Sequence, residues 1–161
     1  MPIQKLQAFL DSHQTKYVVI SHSVAYTAQG VAALTHISGK ELAKTVIVKI
    51  DGVLAMAVLP APLHIDLLQL RSAAGANRLA LASEQEFRER FPDCETGAMP
   101  PFGNLYDMPV FADESLARDK EIAFNAGSHR ELMRLTWDDF VRLVEPKTVR
   151  FAVGSGHSNA A

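Results

Sequence analysis

Between Lys44 and Leu59 the chain carries two β-rich runs separated by Asp51-Gly52, and this pattern restricts the fold more than any other segment. Lys44-Thr45-Val46-Ile47-Val48-Lys49-Ile50 leads into the pair, and Val53-Leu54-Ala55-Met56-Ala57-Val58-Leu59 leads out. An Asp-Gly pair between such runs predicts a hairpin with a type I′ turn, whose two central residues take positive φ. Strand side chains alternate, so Lys44 shares a face with Val46, Val48 and Ile50. A two-residue loop sets Lys44 opposite Leu59, with Ala57 as its diagonal neighbour. No acidic residue lies on that face of the hairpin. The ammonium therefore has two readings. It is a strand-end lysine snorkelling to water, or a cation in a partly dry hollow whose missing partner is a ligand.

At 161 residues and 48% hydrophobic, the chain suits one globular domain, taken as residues 1–153, with a small polar tail over 154–161. Met1 to Asp11 carries Lys5 and Asp11 at helical spacing rather than the apolar run of a signal peptide. No apolar stretch reaches the roughly 18 residues that span a bilayer, so no membrane partner is expected. A single cysteine, Cys94, forms no internal disulfide and fits a reducing, cytoplasmic setting. The net charge of −2 argues against a self-sufficient nucleic-acid binder, and no DNA partner is expected. A local patch from Lys40, Lys44, Arg71, Arg78, Arg118 and Arg130 stays open, beside the plainer reading of solvated surface charge.

Ile3, Leu6, Phe9 and Leu10 predict a short amphipathic first helix, and Tyr17 to Ile20 a brief strand. Thr27 reads as the cap of a helix through about Thr35. After the hairpin, His64 to Ala74 reads as a helix stopped at Gly75, and Arg78 to Ala82 as a short strand. Ser83-Glu84-Gln85-Glu86 is a capping box for a helix that must end before Pro92. Pro109 to Ala112, Glu121 to Ala126 and Arg130 to Leu135 read as strands, the last two joined through Gly127-Ser128. Asp113 and Thr136 read as helix N-caps. Helices mix with hairpins without strict alternation, which predicts an α+β fold with a curved, largely antiparallel or mixed sheet.

The usual chemistries find little support. The six histidines never adopt a close ligand pair and there is no Cys-x-x-Cys, so no metal is expected. No phosphate-cradling loop of Walker or Rossmann type is present, and no cofactor is expected. Cys94 follows Pro92-Asp93 in an acidic stretch, which raises a thiol pKa. What remains is Lys44, the loop Gly97-Ala98-Met99-Pro100-Pro101-Phe102-Gly103, and the turn Gly127-Ser128-His129. Taken alone, His129 beside a glycine reads first as a plain turn residue. Asn125 reads as a ladder residue whose amide is also able to reach a ligand, and Tyr26 as a pocket wall or a hydrophobic staple.

Taken in order, these residues resemble the YbaK/ProX family, the domain also found inserted in bacterial prolyl-tRNA synthetases. The signals are His22 and Tyr26-Thr27-Ala28, then Lys44-Thr45, then Gly97, Pro101 and Gly103 in a Gly-x-x-x-Pro-x-Gly loop, and Gly127-Ser128-His129. The likeness runs from about Ile3 to Val144. It implies a barrel-like mixed sheet with flanking helices and a trans-acting deacylase that hydrolyses mischarged aminoacyl-tRNA, tRNA(Pro) bearing a small non-cognate amino acid above all. It implies catalytic roles for Lys44, Gly103 and His129: the lysine on the terminal phosphate or ribose, the loop glycines presenting N–H groups to the ester carbonyl, the histidine positioning substrate or water. His22, Tyr26, Thr45, Ala57, Gly97, Pro101, Phe102, Gly127 and Ser128 would line the substrate site. The 3′ acceptor end of the tRNA is the implied partner, with a synthetase as a second. Some members that clear alanine carry asparagine directly after the pocket lysine, whereas this chain has Thr45, which opens the substrate to other small or polar amino acids. The missing activated nucleophile leaves an alternative, a non-catalytic tRNA- or nucleotide-binding or synthetase-associated module.

Overall fold

The Asp51-Gly52 turn forms as the sequence requires, with φ of 48° at Asp51 and 85° at Gly52. This computed structural model describes residues 3–23 and 41–154. The first elements are α1 (Gln4–Ser12), β1 (Val18–Ser21), β2 (Ala43–Ile50), β3 (Val53–Pro60), β4 (His64–Ile65), α2 (Leu67–Ala74) and β5 (Leu79–Leu81). Then come α3 (Glu84–Phe87), β6 (Val110–Asp113), β7 (Glu121–Asn125), β8 (Glu131–Thr136), α4 (Trp137–Val144), β9 (Lys147–Val149) and β10 (Ala152–Val153).

The hairpin is the centre of a five-stranded sheet in the order β5-β2-β3-β6-β9. Its β2–β3 and β2–β5 pairs are antiparallel, while β3–β6 and β6–β9 are parallel, so the sheet is mixed. A second sheet, β1-β8-β7, is antiparallel, and β4 pairs with β10. A parallel bridge from Leu42 to Ala123 joins the edge of the hairpin to β7. The α+β class with a mixed sheet is as expected; among the described residues the sheets stay open and no closed barrel forms.

Alternation along the hairpin divides the core in two. Ala43, Ile47, Met56 and Val58 join Leu6, Leu10, Phe102, Phe124 and Phe140 in the larger cluster. Val48, Ala55, Ala57 and Leu59 join Ile65, Leu70, Phe111 and Phe151 in the second. Asp51 adds a tie that its turn role alone does not demand. Its carboxylate accepts from the backbone N–H groups of Asn77 and Arg78, pinning the hairpin tip to the segment before β5.

One reading from the sequence changes, one holds in a shorter form, and two strands are added. His64–Ile65 is a strand rather than the start of a helix, because it pairs with Ala152–Val153, and Asp66 then caps α2 through Leu68 N and Gln69 N. The helix behind the Ser83–Glu86 capping box lasts four residues before passing into a 3-10 turn at Arg88–Arg90. β9 and β10 were not expected at all. Tyr26 and the helix expected from Thr27 lie outside the described residues.

Asp113 caps the 3-10 turn Glu114–Arg118 as expected, through Ser115 N, and does more. Its Oδ1 also accepts from Phe151 N at 2.9 Å and Ala152 N at 2.8 Å, while Oδ2 takes the Ser115 hydroxyl. This buried carboxylate clasps the chain end onto the central sheet. Asp113→Asn replaces one acceptor oxygen with a donor that faces Ser115 N–H. It is expected to lower stability by about 2 kcal/mol, measured by urea unfolding.

Candidate functional site

Lys44 stands near the start of β2, half-buried, opposite Leu59. Burial lowers its pKa below the ordinary lysine value. No hydrogen bond or ion pair joins it to any described residue. Lys49, on the opposite face of the same strand, shows the contrast. It meets Glu86 at 2.6 Å, and that bond, with help from Ser83, holds the Glu86 carboxyl down to about 2. One strand thus carries a satisfied surface lysine and a partly desolvated lysine without a partner among the described residues.

The face around Lys44 continues across the neighbouring sheet. Leu42 bridges Ala123 in parallel register, so two residues further along, Lys44 and Asn125 follow on the same side of their strands. Leu42, Ala61, Ala123 and Leu132 form a small apolar floor there, with Ile20 against it. His22 extends β1 past its last paired residue, its N–H donating to the Arg130 carbonyl at 2.8 Å. Two polar atoms on this face, Asn125 Oδ1 and His22 Nε2, are shut from solvent without a hydrogen-bond partner among the described residues.

The glycine-proline loop meets the turn that follows Asn125. Gly97 has a φ of 86°, a conformation natural to glycine, and its N–H meets the thioether sulfur of Met99 at 3.3 Å. His129 is nine-tenths buried and holds the loop from the other side. Its Nε2 lies 2.8 Å from the Thr96 carbonyl, an atom that only accepts, so Nε2 carries the proton. The His129 backbone N–H donates to the Glu95 carboxylate at 3.2 Å. Gly127 N–H donates to the Ala98 carbonyl at 2.9 Å, closing the contact between the turn and the loop.

The expected site residues therefore divide. Gly97, Gly127 and His129 come together, and the strand register brings Lys44 towards Asn125 on the adjoining face. Ser128 accepts from Arg130 N–H through its hydroxyl, shaping the turn. Thr45 alternates to the face opposite Lys44. Pro101 is buried, and Phe102 is fully enclosed among Phe9, Phe124 and Phe140, so its ring belongs to the core. Ala57 is likewise fully buried, in the second core cluster. Gly103 packs against Met108 and Val110, where an added Cβ would fall 2.2 Å from the Met108 carbonyl oxygen. The sequence signal underrated Asn125. Its position two residues beyond Ala123, level with Lys44, exists only once the Leu42–Ala123 bridge has formed. Cys94 lies outside this group, and burial pushes its thiol up to about 11.

A cleft of about 370 Å³ is lined by Pro60, Pro62, Leu63, Ser115, Arg118 and Asp119, a group separate from the residues above. No described helix is long and apolar enough to cross a membrane.

Comparison with known proteins identifies the family and the fold. Residues 22–143 match the family described as aminoacyl-tRNA editing domain. The chain is 32% identical over 153 residues to the multifunctional Ser/Thr-tRNA deacylase ProXp-y of Escherichia coli, covering 92% of this chain and 91% of that protein. It is 26% identical over 87 residues to the proline–tRNA ligase of Bacillus mycoides, covering 54% of this chain and 15% of that enzyme. The fold matches the crystal structure of a proposed trans-editing enzyme for prolyl tRNA synthetase with a TM-score of 0.81, at 21% identity, over 94% of this chain and 96% of the other. With the family match spanning most of its length, the chain belongs to the aminoacyl-tRNA editing domain family.

Proposed function

We propose that the chain is a trans-acting deacylase that hydrolyses the ester linking a small non-cognate amino acid to the 3′-terminal ribose of a tRNA, tRNA(Pro) among its substrates. The observation that carries this is Lys44, a half-buried cation without a partner among the described residues, near the end of a strand whose preceding residue, Leu42, bridges the strand that runs through Asn125 into the Gly127–His129 turn. An anion there restores what burial removes from the ammonium. The phosphate preceding the terminal adenosine has the right charge, and its ester lies one ribose away.

In this reading Lys44 holds that phosphate and fixes the acceptor end. The carbonyl carbon of the ester is attacked by water, assisted by the neighbouring ribose hydroxyl. The carbonyl oxygen becomes an oxyanion, and the tetrahedral intermediate collapses to release the amino acid and free ribose hydroxyl. Gly97 supplies an N–H to that oxyanion: its present acceptor, a thioether sulfur, is weak and easily exchanged for a charged oxygen. His129 is a positioning residue that holds the Glu95–Gly97 backbone rather than a base in contact with water. No strong nucleophile is needed from the protein, which agrees with the raised Cys94 pKa. This chemistry is assigned to backbone donors.

The biological logic is that of a second sieve. A synthetase discriminates a side chain differing by one methylene by only about 10–200-fold, so errors towards small residues need a separate hydrolytic check. Such a check acts where translation does, in the cytoplasm, and a prolyl-tRNA synthetase is a natural partner for handing over the tRNA. The test is deacylation of a panel of tRNAs that differ only in the attached amino acid, with and without prolyl-tRNA synthetase. Release of small non-cognate residues and sparing of the correctly charged tRNA is expected. Binding of uncharged and charged tRNA without any turnover would favour a non-catalytic module instead.

A further inference from the structure

We infer that Asn125, together with His22, is an acceptor site for a hydrogen-bond donor on the acyl end of the substrate, and so sets which amino acid is removed. The inference rests on the deacylase reading for the identity of the ligand and adds the residues that select it. Buried polar atoms without partners are rare, because each loses its water without compensation. Three such atoms lie on the same face of one sheet; Arg134 Nε sits 3.5 Å from the Glu121 carboxylate, which leaves Asn125 Oδ1 and His22 Nε2 without a partner among the described residues.

Both are acceptors. Asn125 Oδ1 is a carbonyl oxygen. His22 Nδ1 lies 2.6 Å from the Ser23 carbonyl, which only accepts, so Nδ1 holds the proton and Nε2 of the neutral ring offers its lone pair. Two acceptors facing one apolar floor ask for a donor, an N–H or O–H group, and not for a second anion.

Their location fits an acyl group. The Leu42–Ala123 register leads to Lys44 on one side of Asn125. On the other, Ala126 N–H donates to the Glu131 carbonyl and Gly127 N–H to the Ala98 carbonyl, so the next two residues run onto the loop. A substrate reaching from Lys44 to Gly97 therefore passes Asn125. The floor beneath it, Leu42, Ala61, Ala123 and Leu132, is small and apolar, which suits a short side chain.

Two groups of such a substrate supply the donor: the α-amino group common to all aminoacyl esters, and the side-chain hydroxyl of serine or threonine. They predict different selectivity. A site built around a hydroxyl rejects the analogue lacking it far more strongly than an apolar pocket rejects a missing methylene.

The experiment is calorimetric binding of three non-hydrolysable probes, 3′-propionylamino-, 3′-alanylamino- and 3′-serylamino-3′-deoxyadenosine, to the wild-type protein and to Asn125→Leu. For the wild type, affinity is expected to rise roughly 10-fold or more at one step. A rise from propionyl to alanyl identifies the α-amino group, and a rise from alanyl to seryl identifies the hydroxyl. In Asn125→Leu that step is expected to vanish, while the thermal midpoint stays level or increases because a buried orphan acceptor has gone. A merely structural amide would instead lose stability and leave the affinity steps as they were. Unchanged steps in Asn125→Leu, or in Asn125→Ala if the leucine variant does not fold, would overturn the inference. Selective binding by a wild-type protein with no turnover would uphold this site and overturn the deacylase reading, so the two fail separately.

Discussion

Replacing Lys44 with methionine is expected to lower kcat/KM for a mischarged tRNA by at least about 10- to 150-fold, the equivalent of one charge-assisted hydrogen bond worth roughly 1.5–3 kcal/mol. Methionine keeps the length and apolar stem of lysine and removes the ammonium. Because burial lowers the Lys44 pKa, keeping that group charged opposes folding at neutral pH rather than supporting it. The methionine variant should therefore melt at or above the wild-type temperature while losing activity. The pH profile follows from the same shift. In the free protein Lys44 loses its proton below the ordinary lysine range, so kcat/KM should fall on the alkaline side through that lowered value, after subtraction of spontaneous ester hydrolysis. Deacylation assays and thermal melts on both proteins check each part. A variant that loses stability and activity together would show that the lysine is structural.

Gly103→Ala is expected to damage the fold, whereas Gly97→Ala is expected to damage activity, although both glycines belong to the same loop. An added Cβ at Gly103 would sit 2.2 Å from the Met108 carbonyl oxygen and 2.5 Å from Val110 Cγ2. The Met108 backbone cannot withdraw freely. Its N–H is bonded to the Gly103 carbonyl, and the following Pro109 carbonyl accepts from Met56 N at the β3–β6 junction. Relief of the clash must shift the parallel register of the central sheet. The expected cost is about 3 kcal/mol or more, at the upper end for overpacking, and a fall in melting temperature of roughly 6–12 °C. At Gly97 the nearest atom to an added Cβ is His129 Cε1 at 3.6 Å, an ordinary contact. The penalty there comes from a φ of 86°, about 1–2 kcal/mol for alanine. Relaxing that strain turns the Gly97 N–H away from the oxyanion. Urea unfolding and kcat measured on the two variants separate the effects.

The hairpin was legible because its determinants are local. Asp51-Gly52 fixes the turn, alternation fixes the faces, and together they placed Lys44 opposite Leu59 and beside Ala57. The caps at Ser83, Asp113 and Thr136 were legible for the same reason, since each is a side chain bonded to an N–H two or three residues away. The β9 and β10 strands were not. They are two or three residues long, and what holds the chain there is Asp113, 38 residues earlier in sequence from Phe151. Phe102, Gly103 and Ala57 illustrate a different limit. A motif in sequence marks residues that a fold needs without distinguishing those that touch a ligand from those that pack beneath it. Asn125 is the converse case, an ordinary strand residue until a parallel bridge 81 residues in span, Leu42 to Ala123, sets it level with Lys44.

The central claim is that Lys44 is a partly desolvated cation awaiting the phosphate of a terminal nucleotide. The most direct measurement is an NMR titration of the Lys44 ammonium, assigned with Lys44→Met, in the absence and presence of adenosine 5′-monophosphate. The free protein should show a pKa below the ordinary lysine value of 10.5, and the nucleotide should raise it, because the bound anion favours the charged form. A Lys44 that titrates at its ordinary value and does not respond to the nucleotide would contradict the account.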